Sequence, residues 1–89
     1  MSYEVKLTKK ALNFYQKSDV ALVKKIDRCL EVLEKTPFNH ANIKPLKGKL
    51  KGRYRYRLGQ YRIIYRVNSQ SVTVEVLLIG PRGDVYGGG

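Results

Sequence analysis

The first part of the chain follows a strand pattern and then a helical one. Apolar residues alternate with polar or charged ones over residues 2–7, which predicts a short strand. Thr8 is a good helix N-cap because its hydroxyl can accept a hydrogen bond from the first helical turn. The apolar positions after it predict a short helix over residues 9–16.

A longer helical pattern begins after a break in the chain. Apolar residues recur at three- and four-residue spacing over residues 19–35, which predicts a second helix with Ser18 as its N-cap. Pro37 ends this helix because proline cannot continue the backbone hydrogen bonding. The recurring apolar positions are Leu22, Val23, Ile26, Cys29, Leu30 and Leu33. The second helix is thus amphipathic, with one face directed to a core.

The rest of the chain combines a loop with three strand patterns. Residues 38–52 contain Pro45 and two glycines without a clear period, which indicates a connecting loop. Alternating or continuous apolar patterns then predict strands over residues 53–58, 61–67 and 71–79. The order βααβββ follows. It indicates an α+β fold in which two N-terminal helices pack on an antiparallel sheet.

The last predicted strand is the most apolar of the three. Its alternate positions, which are expected to share one face, are Val72, Val74, Val76 and Leu78. Leu77 and Ile79 also favour burial at the end of the strand. Strands that are apolar on both faces are typical of sheet interiors, so this strand is predicted to be central.

A two-residue turn at Gly59-Gln60 fixes the register of the strands on either side of it. Since side chains alternate between the faces of a strand, this register sorts the hairpin into two sets. The set predicted to meet the helices is Tyr54, Tyr56, Leu58, Tyr61, Ile63, Tyr65 and Val67. The opposite set is Arg53, Arg55, Arg57, Arg62 and Arg66, together with Ile64. We interpret the tyrosines as core residues rather than as a platform for stacked bases.

The same register predicts two pairs of like charges, Arg57 opposite Arg62 and Arg53 opposite Arg66. Such pairs destabilise a sheet, so truncation of Arg62 is expected to keep or slightly raise stability. Arginine has a planar fork of donors that matches two phosphate oxygens at once. We therefore interpret this face as a phosphate-binding surface rather than as a charged face that only discourages aggregation.

The charge of the whole chain supports that interpretation. Eighteen Lys and Arg residues against seven Asp and Glu give a net charge of +11, and no acid occurs between Glu34 and Glu75. A polyanion is the expected partner of so basic a surface.

Length and residue usage set further bounds. The 89 residues predict one domain with a thin core over residues 1–86, followed by a disordered glycine tail at 87–89. Cys29 is the only cysteine, which excludes an internal disulfide and suits a reducing cytoplasm. We expect a soluble, unexported protein because no apolar run has the length of a membrane span. His40 is the only histidine, so the sequence offers no metal site.

Three sequence motifs resemble signatures of the RelE/ParE toxin superfamily. They are LKG at 46–48, YRYRLGQYRIIY at 54–65 and IGPRGDVY at 79–86. The resemblance implies a sheet with a concave basic surface. For the RelE branch it also implies an endoribonuclease that cuts messenger RNA in the ribosomal A site without a metal ion or cofactor. The expected partners are the ribosome, the message and an antitoxin with an acidic, partly disordered segment.

The resemblance also implies roles for individual residues. Arg62 matches the arginine that contacts the scissile phosphate, and Arg82 matches a second arginine near the end of the sheet. Tyr86 matches a C-terminal aromatic residue that stacks on or activates the nucleotide at the cut. Arg55 and Arg57 match strand positions that are lysines in the best-known members. Because arginine stays protonated in proteins, these two are poor general bases, and Tyr86 is the better candidate.

Other basic residues are expected to bind RNA outside the catalytic set. They are Lys47, Lys49, Lys51, Arg53 and Arg66. Two alternatives remain open at this point. One is a gyrase-inhibiting toxin of the ParE branch, and the other is a basic RNA-binding module without catalysis.

Overall fold

The computed structural model describes residues 2–83. The elements in chain order are β1 (Glu4–Leu7), α1 (Lys9–Lys17), α2 (Val20–Lys35), β2 (Ile43–Pro45), a 3-10 turn (Gly48–Leu50), β3 (Tyr54–Leu58), β4 (Tyr61–Asn68) and β5 (Thr73–Pro81). The predicted α+β class and the order of one strand, two helices and three longer strands are confirmed. The glycine tail predicted at 87–89 lies outside the described residues. Neither helix found in residues 2–83 is long and apolar enough to cross a membrane.

The five strands form one mixed sheet in the order β1-β5-β4-β3-β2. β5 lies in the interior between β1 and β4, as its apolar pattern predicts. β1 runs parallel to β5, whereas every other neighbouring pair is antiparallel. The expectation of a wholly antiparallel sheet is wrong at this edge. Two parallel neighbouring strands need a long crossover connection, and the helices and strands between β1 and β5 in the sequence provide it.

Side chains at the helix ends determine where α1 and α2 begin. Thr8 starts α1 as predicted, since its hydroxyl accepts a backbone hydrogen bond from the first turn at 3.2 Å. α2 starts one residue later than expected, because Asp19 accepts from the Leu22 N–H at 2.8 Å. Ser18 instead donates its hydroxyl to the Phe14 carbonyl at 2.7 Å. A carboxylate at this position is also favoured by the dipole of α2.

The core lies on the sheet face that the two helices cover. The largest fully buried side chains are Tyr65, Ile26, Leu33, Ile63, Val74, Val76 and Cys29. The predicted core position is confirmed for Tyr56 and Tyr65, which are buried, and for Tyr54, which packs against the core. Tyr61 is only half-buried and its ring contacts Phe14. The Tyr65 hydroxyl donates to the Pro37 carbonyl at 2.6 Å. Burial raises the pKa of the Tyr65 hydroxyl and that of the Cys29 thiol.

An irregularity in β5 moves one predicted core residue to the other face. Ile64 of β4 pairs with Leu78, but the next residue of β4, Tyr65, pairs with Val76. Leu77 is therefore an extra residue in the ladder, and such a bulge resets the alternation of side chains. The prediction that Leu78 shares a face with the valines of β5 is wrong for this reason, because Leu78 lies beside Ile64.

Residues 38–52 contain regular structure that the sequence pattern does not reveal. β2 pairs antiparallel with β3, placing Ile43 opposite Tyr56 and Pro45 opposite Tyr54. Proline is tolerated there because β2 is an edge strand, where one side of the backbone needs no partner. The prediction of a plain loop fails because three residues are too few to show a period.

Candidate functional site

The candidate site is the sheet surface opposite the core, which we call the basic face. The predicted hairpin register is confirmed, with Arg57 opposite Arg62 and Arg55 opposite Ile64. β2 extends the same row, since Lys44 lies opposite Arg55. Alternation along the strands thus places guanidinium groups on this face, while the intervening tyrosines lie on the face that the helices cover.

Arg53 does not join a like-charge pair. Strand pairing begins one residue after it, and its backbone bonds instead with Leu46 and Leu50 at 2.9 and 3.0 Å. Arg66 has an acidic partner on β5, because its Nε lies 2.7 Å from Oε1 of Glu75. The predicted Arg53–Arg66 repulsion is therefore wrong, whereas the Arg57–Arg62 juxtaposition stands.

Arg62 is the one buried charged side chain within residues 2–83, with 7% of its surface exposed. Its Nη1 donates to the carbonyls of Gly59 and Tyr61, each at 2.9 Å. Gly59 lies in the turn and Tyr61 is the first residue of β4, so the guanidinium stabilises the entry into β4. The sequence pattern gave no sign of this contact, because a bracing arginine and a solvated one occupy the same strand position.

Arg82 is held at the same end of the basic face. Its backbone N–H donates to the carbonyl of Gln60 in the β3–β4 turn at 3.1 Å, and the residue is exposed. We call Arg57, Arg62 and Arg82 the arginine cluster. Arg57 and Arg62 are cross-strand neighbours beside this turn, and the backbone of Arg82 bonds to it. Tyr86, the predicted aromatic residue of the site, lies outside the part of the chain that the structure describes.

The other strand cations differ in how freely their side chains can move. Arg57 is exposed, whereas Arg55 is half-buried and donates from Nη1 to the Asn42 carbonyl at 3.1 Å. Lys44 is exposed beside Arg55 and was not among the predicted site residues. In the sequence, the step from apolar Ile43 to charged Lys44 is the one signal that could have identified it.

A basic turn follows β2 and precedes β3. Lys47, Lys49 and Lys51 are all exposed there, as expected for residues that bind a polyanion. Gly48 and Gly52 adopt φ angles of 67° and 93°, a left-handed conformation that glycine tolerates better than other residues. The two glycines thus shape the segment that carries the lysines.

The centre of the basic face is apolar. Ile64 is buried there, and a cleft of about 280 Å³ is lined by Lys10, Leu50, Arg53, Ile64, Leu77 and Leu78. The bulge in β5 explains why two leucines reach this side of the sheet. The basic face therefore has aliphatic side chains at its centre and cations around them.

Acidic side chains on the basic face are confined to one end. The two ion pairs formed within residues 2–83 are Arg66 with Glu75 at 2.7 Å and Lys6 with Glu4 at 3.2 Å. Both lie on the β1 and β5 side, away from the β3–β4 turn. In the described part of the chain, no carboxylate forms an ion pair with the arginine cluster.

The histidine and the cysteine of the chain make structural contacts or are buried. His40 is exposed, its ring stacks on Tyr56 with centroids 5.3 Å apart, and its Nδ1 accepts from the Asn42 N–H at 3.1 Å. Cys29 is fully buried. Over residues 2–83 no group of three or more His, Cys, Asp or Glu side chains could hold a metal ion.

Sequence comparisons connect the chain with bacterial toxins. The family described as "ParE toxin of type II toxin-antitoxin system, parDE" matches residues 5–86. Toxin RelG of Mycobacterium tuberculosis is 40% identical over 43 residues, which are 48% of this chain and 49% of that toxin. The match thus spans about half the length of that curated relative.

Solved structures resemble the fold over almost its full length. The archaeal RelE–RelB complex from Pyrococcus horikoshii contains a chain with a TM-score of 0.80 and 32% identity, covering 93% of this chain and 98% of that one. A chain of the RelBE2 toxin–antitoxin complex of Mycobacterium tuberculosis has a TM-score of 0.79 and 26% identity, and the match covers 92% of this chain and 100% of that one. The YoeB/ParE toxin from Agrobacterium tumefaciens has a TM-score of 0.80 and 26% identity, and the match covers 89% of this chain and 98% of that one.

Proposed function

Because the chain belongs to the RelE/ParE superfamily of type II toxins, we propose that it is an endoribonuclease that cleaves messenger RNA in the ribosomal A site. The observation that carries this proposal is the arginine cluster at the β3–β4 turn. Arg57 and Arg82 are exposed, Arg62 is buried beside the turn, and none of the three forms an ion pair with a described carboxylate. A phosphate is the ligand that best fits such a site.

The proposed reaction needs fixed positive charge more than it needs a metal ion. The ribose 2′-oxygen attacks the adjacent phosphorus, and the bond from phosphorus to the 5′-oxygen breaks. The products are a cyclic phosphate and a 5′-hydroxyl, after the 2′-hydroxyl proton has been transferred to the leaving oxygen. Arg62 and Arg82 stabilise the dianionic phosphorane, since preorganised donors act where charge develops. Arg55 and Arg57 hold the flanking backbone.

Arg62 has to combine this role with its contacts to the turn. A guanidinium group offers five N–H donors, and the two on Nη1 account for the bonds to Gly59 and Tyr61. The donors on Nε and Nη2 are the ones that a phosphate can use without displacing the turn. A side chain braced in this way is preorganised, which favours transition-state stabilisation over flexible ground-state binding.

The proton transfers require a different side chain. Arginine remains protonated at neutral pH, so neither Arg55 nor Arg57 is suited to act as the general base. We assign that role to Tyr86, on the strength of the resemblance of residues 79–86 to the superfamily's C-terminal motif. Binding of the message on the ribosome would provide most of the in-line geometry, because correct positioning of reactants lowers a barrier strongly.

The partners follow from the same surface. Lys47, Lys49, Lys51 and Arg53 extend the positive charge toward the ribosome and the message. The relatives from Pyrococcus horikoshii and Mycobacterium tuberculosis were solved as toxin–antitoxin complexes. We therefore expect a cognate antitoxin whose acidic segment folds over the basic face, in the same cytoplasm where messages are translated.

Message-end mapping on translating ribosomes tests the proposal. Arg82→Ala and Arg62→Ala should each lower cleavage roughly 10²–10³-fold if the two arginines contact the phosphorane. Arg28→Ala is the matched control, because Arg28 is exposed on α2 in the helical layer. Cleavage by Arg82→Ala at the parental rate would remove the basis for the assignment.

A gyrase-inhibiting role is the second candidate function, and the match to the ParE family description favours it. In that case the basic face would be a protein-binding surface without nuclease chemistry. A supercoiling assay with purified gyrase, run beside the ribosome assay, separates the two. Inhibition of gyrase without new message ends would overturn the nuclease proposal.

A further inference from the structure

The basic face has two halves with different charge, which meet along β4. The arginine half lies toward the β3–β4 turn and contains Lys44, Arg55, Arg57, Arg62 and Arg82. The paired half lies toward β1 and contains Glu4, Lys6, Arg66 and Glu75. Each cation of the paired half has a carboxylate partner, whereas no described carboxylate pairs with a cation of the arginine half.

Glu75 occupies the central position of the paired half. The strand register places it opposite Arg66 on one side and opposite Lys6 on the other. It is therefore a single negative charge between two positive ones in a row across β4, β5 and β1. Its Oε1 accepts from Arg66 Nε at 2.7 Å, which fixes the direction of that guanidinium.

A phosphate backbone on this face would meet Glu75 after leaving the arginine half. Arg62 and Arg66 point to the same side of β4 and are four residues apart, which is about 13 Å along an extended strand. Arg66 is thus the next cation along β4, but its charge is already matched. Beyond it, a cleft of about 680 Å³ is lined by uncharged residues of the β4–β5 turn alongside the paired residues. Among the described residues that line this cleft, both cations already have a carboxylate partner.

We propose that Glu75 limits the RNA-binding surface to the arginine half, because it neutralises Arg66 and places a carboxylate in the path of the next phosphate. Glu75 is then a specificity-determining residue that sets the length of message held by the toxin. This inference rests on the proposed function, since it takes RNA as the ligand of the basic face.

The test measures the binding of a single-stranded 2′-O-methyl RNA oligonucleotide, which lacks the nucleophilic hydroxyl and cannot be cleaved. Glu75→Gln keeps the shape of the side chain and releases Arg66 for one further phosphate. The log-log plot of affinity against salt concentration should then steepen by about 0.7, and binding at 0.1 M salt should tighten roughly fivefold. Melting curves verify that the variant is folded.

Two controls separate a released contact from a change in net charge. Glu34→Gln makes the same substitution at an exposed position of α2 and should leave the salt slope unchanged. The double variant Glu75→Gln/Arg66→Ala restores the parental net charge and should restore the parental slope. An equal effect of the two glutamine variants, or a gain that persists without Arg66, would overturn the inference.

The outcome for the proposed function is read separately. If Arg57→Ala and Arg82→Ala leave oligonucleotide binding unchanged, the basic face does not bind RNA and the proposed function fails. If those variants weaken binding but Glu75→Gln brings no gain, the inference about Glu75 alone is wrong.

Discussion

The two faces of the β3–β4 hairpin are built from alternate residues of the same strands, but they are stabilised in opposite ways. On the core face, tyrosine and isoleucine side chains are buried under the helices, and the Tyr65 hydroxyl bonds to a backbone carbonyl. On the basic face, Arg57 lies opposite Arg62, and a cleft is lined by a few aliphatic residues together with Lys10 and Arg53. Burial of apolar surface on the core face stabilises the fold, and this stabilisation offsets the repulsion between like charges on the basic face.

Arg62 does not follow this division. It belongs to the basic face by register, but it is about as buried as the core residues Ile43 and Tyr56, and its Nη1 donates to carbonyls at the turn. The comparison therefore shows that side-chain alternation assigns a residue to a face without determining whether the residue stabilises the fold. Substitutions on the two faces, compared by their effect on the free energy of unfolding, test whether the core face alone stabilises the fold.

Tyr65→Ala should have the largest effect. Removing a fully buried aromatic ring leaves a cavity and an unpaired Pro37 carbonyl, and the expected loss is about 3–5 kcal/mol of unfolding free energy. Urea unfolding followed by circular dichroism measures it. A loss below about 1 kcal/mol would mean that this face is not the main source of stability.

Arg62→Ala should come next, with a loss of about 1–3 kcal/mol, because two backbone carbonyls lose a charged donor. This reverses the expectation from strand pairing alone, in which truncation only relieves repulsion from Arg57. Arg28→Ala on α2 serves as the control and should melt with the parent. If Arg62→Ala also melts with the parent, the contacts to the turn do not stabilise the fold.

Alkaline pH should weaken the core face. The pKa values of Cys29 and Tyr65 are raised by burial above their ordinary values of 9.0 and 10.0. Their protonated forms are thus favoured by folding, so their contribution is complete below pH 9.0 and declines as pH rises further. Each group adds a slope of up to about 1.4 kcal/mol per pH unit.

The two substitutions Cys29→Ala and Tyr65→Phe separate these contributions. Cys29→Ala should remove the decline that begins near pH 9.0, and Tyr65→Phe the additional decline above pH 10.0, each relative to the same variant at pH 8. Unfolding curves at unit pH steps measure both slopes. Slopes identical to the parent's would show that other groups control the alkaline transition.

Arg57→Ala should have the smallest effect on stability. Arg57 is exposed and faces Arg62, so its removal should change unfolding free energy by a few tenths of a kcal/mol at most, in the stabilising direction. Thermal melting at low and high salt checks the cause, because screening should erase a gain that comes from repulsion. A clear loss of stability would place Arg57 with Arg62 among the residues that support the fold.

Much of the fold could be predicted because periodicity reports burial. The hairpin register followed from the turn at residues 59–60, and the core tyrosines followed from that register. β2 could not be found, since three residues with a proline give no period. The position of Leu78 was missed because a bulge depends on how β5 meets its neighbours, which local sequence does not encode.

The site was predicted less completely than the fold. Residue type identified the cations, but it could not show that Glu75 would neutralise Arg66 or that Arg62 would turn toward carbonyls. Those contacts depend on residues that are near in space and of complementary charge. The catalytic roles of Arg62, Arg82, Arg55, Arg57 and Tyr86 stay predictions, as do the RNA contacts of the lysines.

The position of β5 has a consequence for how the protein is made. β5 follows every other strand in the sequence and yet separates β1 from β4, and the Thr8 hydroxyl bonds to Leu77 across 69 positions. Such distant contacts form late, and synthesis delivers the chain from its N-terminus. A nascent chain that stops before β5 would carry the arginine-bearing hairpin without the sheet that supports it. Synthesis therefore has to pass β5 before the chain can complete its sheet and support the arginine-bearing hairpin.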